Sequence, residues 1–503
     1  MKRHVIVVGG GFGGLSAALA LASRGVAVTV LEAADQLGGK AGTADAEGVE
    51  FDTGPSLLTL PEVFDTLFAL SGTRLRERVK LRRLDPTFKY MFADGSSLYT
   101  SPELDTTLAD IRAVYGRQAR DEMADFLKYA EEIWTASAPH FVYGDSPSLR
   151  SLSRMKWSTL TQLRHIDPTR TMWQAIRKRV KSPHVRNILM RFATYNGSDV
   201  RRAPATLNCI AHVDMAMGAH GLEGGMGSMA TAMVERGREL GVQYVTGTRV
   251  SAITSRWRRI TGVELESGAQ LHADAVVCNA DVRHLAMELA PGLKAMRSRV
   301  ENLDPSMSAI NYVIKSKRRR ARAPHTVVFP DRYMAEFEDI FDHRRVPQEP
   351  TIYLCDQSLS HGRAPFDDGS VPVFAMVNAP AIQPGSNAET DEPRVREFVM
   401  TRIKALGLVD ADAEIVWSRT PQQLEDRFPG SRGSIYGSAS NSARSAFTRP
   451  GNRVRELRGL YLAGGTVHPG GGVPLCTLSG MAAARAVLED VGSRVAPDMA
   501  VGS

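Results

Sequence analysis

The residues with the clearest chemistry to offer are glycines near the start of the chain. A β-branched run, His4-Val-Ile-Val-Val8, leads directly into Gly9-x-Gly11-x-x-Gly14, and an alanine- and leucine-rich helical stretch follows from Leu15 to Ser23. A second apolar run, Val26 to Leu31, ends at Glu32, eighteen residues past Gly14. These types at these spacings suit a dinucleotide. Gly9 allows a tight turn, Gly11 lets backbone approach a pyrophosphate, and Gly14 lets helix and strand pack closely. The helix N-terminus offers amides to the phosphates, and Glu32 can accept from ribose hydroxyls. Other catalytic chemistry is absent. The four cysteines (Cys209, Cys278, Cys355, Cys476) form no CxxC pair, which excludes a disulfide framework and argues against a zinc site, and no metal is expected. They read as buried thiols in a reducing compartment. No Ser/His/Asp or paired-carboxylate constellation stands out, so no catalytic residue is assigned.

Further glycine blocks extend the first. Gly38-Gly39-Lys40-Ala41-Gly42-Thr43 and Phe51-Asp52-Thr53-Gly54-Pro55-Ser56 follow Glu32. Gly224-Gly225-Met226-Gly227-Ser228 opens a helical stretch from Met229 to Leu240. Short strands follow at Val242–Val245, Val250–Thr254, Gly262–Leu265 and Ala275–Cys278, ending in Asn279-Ala280-Asp281. Late in the chain come Gly433-Ser-Ile-Tyr-Gly437, the strand Gly459-Leu-Tyr-Leu-Ala-Gly464-Gly465-Thr466, and His468-Pro-Gly-Gly-Gly-Val473-Pro474 before an alanine-rich helix, Ala482–Leu488. Together these blocks resemble the flavoprotein superfamily of amine oxidases and carotenoid desaturases, and within it the bacterial phytoene-desaturase family. The stretch from Phe51 to Leu60 is more similar to hydroxy- and methoxycarotenoid desaturases.

The resemblance implies an α/β fold: a Rossmann-like FAD-binding domain of the amine-oxidase/GDI-like type, a mixed-sheet substrate domain and a helical lid. The FAD domain would be discontinuous (1–80, 222–290 and 450–490), with 81–135 and 291–449 as substrate domain, 136–221 as a basic helical segment and 491–503 as a flexible tail. FAD is the implied cofactor. Gly39 and Lys40 would serve its phosphates, Gly54, Pro55 and Ser56 would approach the isoalloxazine, and Val250 would meet the adenine through its backbone. Gly465, Thr466 and Val473 would present amides to the pyrimidine edge and ribityl chain, with Pro474 beside them at the helix start. His468 is the one tempting group near the ring, and a structural role in its glycine loop competes with a catalytic one.

The implied reaction is desaturation of a long polyene in carotenoid biosynthesis. Two hydrogens leave adjacent allylic carbons, one as hydride to flavin, and the cation left behind is delocalised enough to lose a proton without a strong base. Because no second dinucleotide motif is present, quinone or oxygen, not a nicotinamide, should reoxidise the flavin. Alternatives on the same fold are an amine or other small-substrate flavin oxidase, a carotenoid isomerase, and a non-redox prenyl-binding escort.

Charge adds a further expectation. Between Leu149 and Arg191 eleven basic residues face one acid, Asp167, which accounts for the whole formal charge of +7. Apolar residues, including Trp157 and Trp173, interleave with them, a pattern suited to an anionic membrane surface. A solvated cationic face over an ordinary core fits equally, and no recognition motif points to nucleic acid. The expected location is cytoplasmic, peripheral on the inner face of the cell membrane. The uncharged runs near Val5–Ala22 and Gly459–Ala484 imitate a signal peptide and a spanning helix, but their glycines and prolines argue against both. The cationic run from Lys315 to Arg322 should be an exposed turn between strands, and Pro380 to Pro393 a polar loop.

Overall fold

The computed structural model describes residues 3–144, 146, 166–317, 322–442 and 449–490. The first half of the basic segment, including Trp157, and the tail from 491 lie outside the described residues.

Two sheets organise the chain. The first is parallel and five-stranded, in the spatial order Leu460–Leu462, Ala275–Cys278, His4–Val8, Ala27–Leu31 and Gln243–Val245. Its central strands are near-continuous runs of Val and Ile because both faces are covered. The first helix, Phe12–Ala22, is buried along its whole length. It lies against the closing helix, Val473–Asp490, where small residues allow a tight crossing: a Cβ on Gly480 would stand 2.1 Å from the Gly13 carbonyl oxygen. Ser16 Oγ seals the crossing by donating to the Thr477 carbonyl at 3.0 Å. An antiparallel three-stranded sheet, Val250–Arg256, Arg259–Leu265 and Gln270–His272, flanks this unit.

The second large sheet has seven strands in the order Glu414–Arg419, Ser308–Ser316, Val371–Ala379, Ile352–Asp356, His325–Val328, Phe88–Met91 and Ser97–Thr100. Alternation sorts its side chains between two layers. Ile310, Tyr312 and Ile314 pack with Val395, Val399 and Ile403 of the helix Ala388–Ala405, while Val313, Phe374 and Cys355 pack around Phe51. At its far edge Phe88, Tyr90 and Phe329 join the helices Leu104–Ser137, Met172–Arg179 and Pro183–Arg191 in a separate core.

Several sequence expectations change here. Alternation of apolar and polar residues from Leu81 to Thr100 predicts a hairpin around Asp94-Gly95, but the hairpin spans only Phe88–Thr100, because Leu81–Arg83 pairs instead with His220–Leu222. Periodicity predicts two helices, Leu108 to Tyr115 and Asp121 to Thr135; both belong to one element, Leu104–Ser137, interrupted at Gly116 with φ 86° and ψ 172°. The polar stretch at 380–393 is not all loop: the helix starts at Ala388, with Glu389 and Asp391 in its first turn, where the helix dipole favours acids. The run 315–322 is not simply an exposed turn. Lys315 pairs with Glu47 at 2.7 Å, and Arg322 is buried against Asp356 at 3.0 Å. Residues 318–321 lie outside the described set.

Among the described residues, no helix is long and apolar enough to cross a membrane. In the described part of the basic segment, Met172, Ile176, Val180 and Leu189 are core residues. Arg170 pairs with Asp167, Arg179 stacks 3.7 Å over the Tyr129 ring, and Arg191 is buried. The cations left exposed are Arg177, Lys178 and Lys181.

Candidate active site

The first strand delivers the glycine loop. Gly9 turns with φ 96°, outside the range that suits a side chain, and its amide donates to the Leu31 carbonyl at 2.8 Å. A Cβ on Gly14 would lie 2.0 Å from the Gly9 carbonyl oxygen, so the turn and the first helix can coexist only with glycine there. Gly11 caps that helix without a side-chain hydrogen bond, and the first turn carries no acid. Its orphan amides are therefore free of side-chain acceptors, an arrangement that favours an anion.

Glu32 reaches the same loop. Its Oε2 accepts from the Gly10 amide at 2.7 Å and its Oε1 from the Ala34 amide at 2.9 Å. Each oxygen keeps a second lone pair, so the carboxylate can still accept from a ribose. Val250 is buried and opens its strand opposite Leu265. The approach to it runs beside the acid, since the Thr248 amide donates to the Glu32 carbonyl at 2.8 Å.

Gly38 and Gly39 lie against the loop: the Gly38 amide donates to the Gly10 carbonyl at 2.9 Å, and a Cβ on Gly39 would stand 3.0 Å from Gly11 Cα. Lys40 turns elsewhere. Its ammonium donates to the carbonyls of Ser434 at 2.8 Å and Ile435 at 3.3 Å, within the Gly433–Gly437 segment. Burial lowers its pKa, opposed by the charge of Asp281. Gly54 is fixed by contact with the same turn, since a Cβ there would meet the Lys40 carbonyl oxygen at 2.1 Å. Gln357 grips the residue two before it in both directions, accepting from the Asp52 amide and donating to the Asp52 carbonyl, each at 2.8 Å. Pro55 and the buried Ser56 follow, with Ser56 Oγ donating to the Gly54 carbonyl at 3.5 Å.

The last glycine block closes the site. Thr466 Oγ1 accepts from the Val282 amide at 3.2 Å, and a Cβ on Gly465 would lie 3.3 Å from Gly471 Cα. Val473 and Pro474 begin the closing helix. His468 is buried, with Nε2 3.1 Å from the Gly144 carbonyl oxygen, so it has a structural partner in the helical lobe.

The structure adds Asn279, which the sequence reading treated only as a strand end. Its side chain lies within reach of four glycines: Nδ2 donates to the Gly9 carbonyl at 3.4 Å, and Cβ atoms on Gly11, Gly13 or Gly464 would collide with it. Gly9, Gly11, Gly14, Glu32, Gly39 and Asn279 thus surround one loop. Gly54 and Ser56 follow the residue that Gln357 holds, while Gly465, Thr466 and Val473 lie on the segment that leads into the closing helix. The uncapped helix N-terminus and a cradle that Cβ atoms would fill suit a bound dinucleotide.

Comparison with known proteins gives this geometry a class. A model of the flavin-containing amine oxidoreductases matches residues 12–488. The chain belongs to that family, and it is an FAD-dependent oxidoreductase. Among curated proteins it is similar to 4,4'-diaponeurosporene oxygenase of Staphylococcus aureus (strain MSSA476), 31% identical over 495 residues, covering 95% of this chain and 97% of the relative. Solved structures sharing the fold include an oxidoreductase from Methanosarcina mazei, with TM-score 0.64 and 16% identity over 97% of this chain and 100% of that one. Cyclohexylamine oxidase from Brevibacterium oxydans has TM-score 0.61 and 17% identity over 98% of this chain and 100% of that one.

Proposed function

We propose that the protein is a carotenoid desaturase, removing two hydrogens from adjacent carbons of a long polyene. The observation that carries this is the near-full-length similarity to an oxygenase whose name specifies a polyene, diaponeurosporene. Bound FAD would supply the two-electron acceptor. The chain's own residues would bind and orient it: Gly9, Gly11, Gly14 and Glu32 at the ADP half, Gly39 beside the pyrophosphate, and Val250 at the adenine. Gly54, Pro55, Ser56, Gly465, Thr466, Val473 and Pro474 would lie along the flavin. Lys40, held by two carbonyls, would brace the 433–437 segment over that site and act on the phosphates only through its charge. The hydrogen not transferred as hydride leaves as a proton to water, and quinone or oxygen takes up the electrons.

The proposal includes two lobes, an FAD lobe built on the parallel sheet and a substrate lobe built on the seven-stranded sheet. It also includes peripheral contact with an anionic membrane on the cytoplasmic side, for which the exposed Arg177, Lys178 and Lys181 are the supporting cations. A second reading, insertion of oxygen at a polyene end, is favoured by the relative's being an oxygenase.

Mass spectrometry of products from liposomal polyenes, with quinone and oxygen supplied, tests the proposal. Products lighter by two hydrogens per step are expected. Products that gain oxygen without losing hydrogens from the chain would favour the second reading, and oxidation of primary amines with inert polyenes would reject both.

A further inference from the structure

The edge strand of the large sheet delivers a cation to the early glycine blocks. Arg419, the last residue of Glu414–Arg419, is only 7% exposed. Its register opposite Asn311 puts it on the same face as Trp417, two residues earlier, and its guanidinium lies 4.7 Å from that ring. Trp417 in turn meets the Phe51 ring edge-on at 6.2 Å. Arg419 Nη2 donates to the Thr53 hydroxyl at 3.3 Å. Thr53 stitches two glycine blocks together, since its amide and its hydroxyl both donate to the Gly42 carbonyl, at 3.3 Å and 2.9 Å. The guanidinium therefore stands at the seam between residues 39–42 and 53–56, one residue from Gly54. Arg427 approaches the same seam from the surface, with Nη2 3.4 Å from where a Cβ on Gly42 would lie.

Among the described residues no carboxylate pairs with Arg419, and the Thr53 hydroxyl is the one hydrogen-bond acceptor of its side chain. Burial and the charge of Arg427 lower its pKa from 12.5 to about 10, so it stays charged at neutral pH. A buried cation without a counter-ion is costly, and holding one hydroxyl requires no charge. Surroundings of low polarity screen such a cation little, so its field falls strongly on any anion that forms beside it. Hydride transfer forms one. Two electrons and one proton pass to the flavin, which gains one negative charge, whichever substrate supplies them.

We infer that Arg419 is the electrostatic counter-ion of the reduced flavin. Its charge, fixed at the seam by Thr53 and Trp417, raises the affinity of the cofactor for electrons. The side chain acts through its field alone and takes no part in the bonds that form or break. Its role depends on bound FAD and not on the polyene reading.

The test uses the FAD-loaded protein with no polyene present. The midpoint potential of the two-electron flavin couple is read from visible absorbance against a dye of known potential. Arg419→Gln keeps a donor for Thr53 and removes the charge. It should disfavour reduction by about tenfold or more, which is a shift of about 30 mV or more toward negative potential. Arg419→Lys keeps the charge and should stay within about threefold of the parent. A merely structural clamp predicts the opposite order, because lysine cannot stack on Trp417 as a planar guanidinium does. Arg419→Met takes the place of Arg419→Gln if the glutamine variant does not retain flavin. A loaded neutral variant with the parent's potential, or a lysine variant as impaired as the neutral one, overturns the counter-ion role. Loss of flavin from both neutral variants overturns it too, because a counter-ion of the reduced form is not needed to hold the oxidised form.

Discussion

At Gly14 and Gly54 a single methyl group has no room, since the added Cβ would sit 2.0 Å and 2.1 Å from carbonyl oxygens of the backbone. Backbone cannot step aside as a side-chain end can, so Gly14→Ala and Gly54→Ala should each yield protein that retains little or no FAD after gel filtration. Gly25 is the control. Its φ is 77° with no atom within 4 Å of an added Cβ, so Gly25→Ala should cost about 1 kcal/mol of strain and keep a full complement of flavin. Asp214 carries a pH signature of its own. Burial, opposed by Arg191 and the Tyr195 hydroxyl, raises its carboxyl from 3.8 to about 6. The folded state therefore holds a proton that the unfolded chain has released between those values, and its stabilising contribution is lost as pH rises through 6. Asp214→Asn should match its parent in denaturant midpoint below pH 4 and exceed it above pH 6, by on the order of 3 kcal/mol. The glycine fingerprint and Glu32 were legible because their chemistry is local. Arg191 and Arg322 were not, because a cation in a basic run gives no sign of the Tyr195 or Asp356 that buries with it. Asn279 likewise declares itself only when the strand carrying it lies beside the first.

Among the elements, the long helix Leu104–Ser137 is broken by a residue whose backbone only glycine adopts readily. Gly116 has open space around its Cα, so Gly116→Ala tests conformation alone. It should cost roughly 1–3 kcal/mol, read as a lower melting temperature with flavin content unchanged. The β-branched runs of the parallel sheet were visible as apolar periodicity. Glu414–Arg419 and Gln270–His272 were not, since an edge position lets polar residues occupy a strand that pairs on one side only. The helix from Ala388 was hidden by Pro393 and by acids that suit its first turn and a loop equally well. The amphipathic reading of the basic segment divides in the same way. Its periodicity gave helices, but the apolar faces of Met172–Arg179 and Pro183–Arg191 turn inward to the core, not outward to lipid.

For the molecule as a whole, the one glycine-loop sheet among the described residues supports the proposal that turnover needs no nicotinamide. Rates with quinone and oxygen supplied should not change when NAD or NADPH is added, and strict dependence on either would contradict the reading. Membrane contact should depend on salt, since each exposed cation near an anionic leaflet contributes about 1 kcal/mol and is screened by added ions. Arg177→Glu, Lys178→Glu and Lys181→Glu together should reduce co-sedimentation with acidic liposomes without loss of flavin. Arg179 is left alone because it stacks on Tyr129. A rival contact is Trp257, 88% exposed at a hairpin tip between Arg256 and Arg258. If only Trp257→Ala weakens sedimentation, the dock lies there and the cationic helix end is a solvated face. The order of strands in the parallel sheet has one more consequence, for the newborn chain. Leu460–Leu462 joins Ala275–Cys278 at one edge, and the closing helix covers the first helix, made more than four hundred residues earlier. While ribosomes are still adding the large sheet, the glycine loop waits without its cover, its apolar first helix exposed to chaperones. Flavin should then be captured securely only after the closing helix has been synthesised, so loading of the cofactor follows the assembly of both sheets and does not precede it.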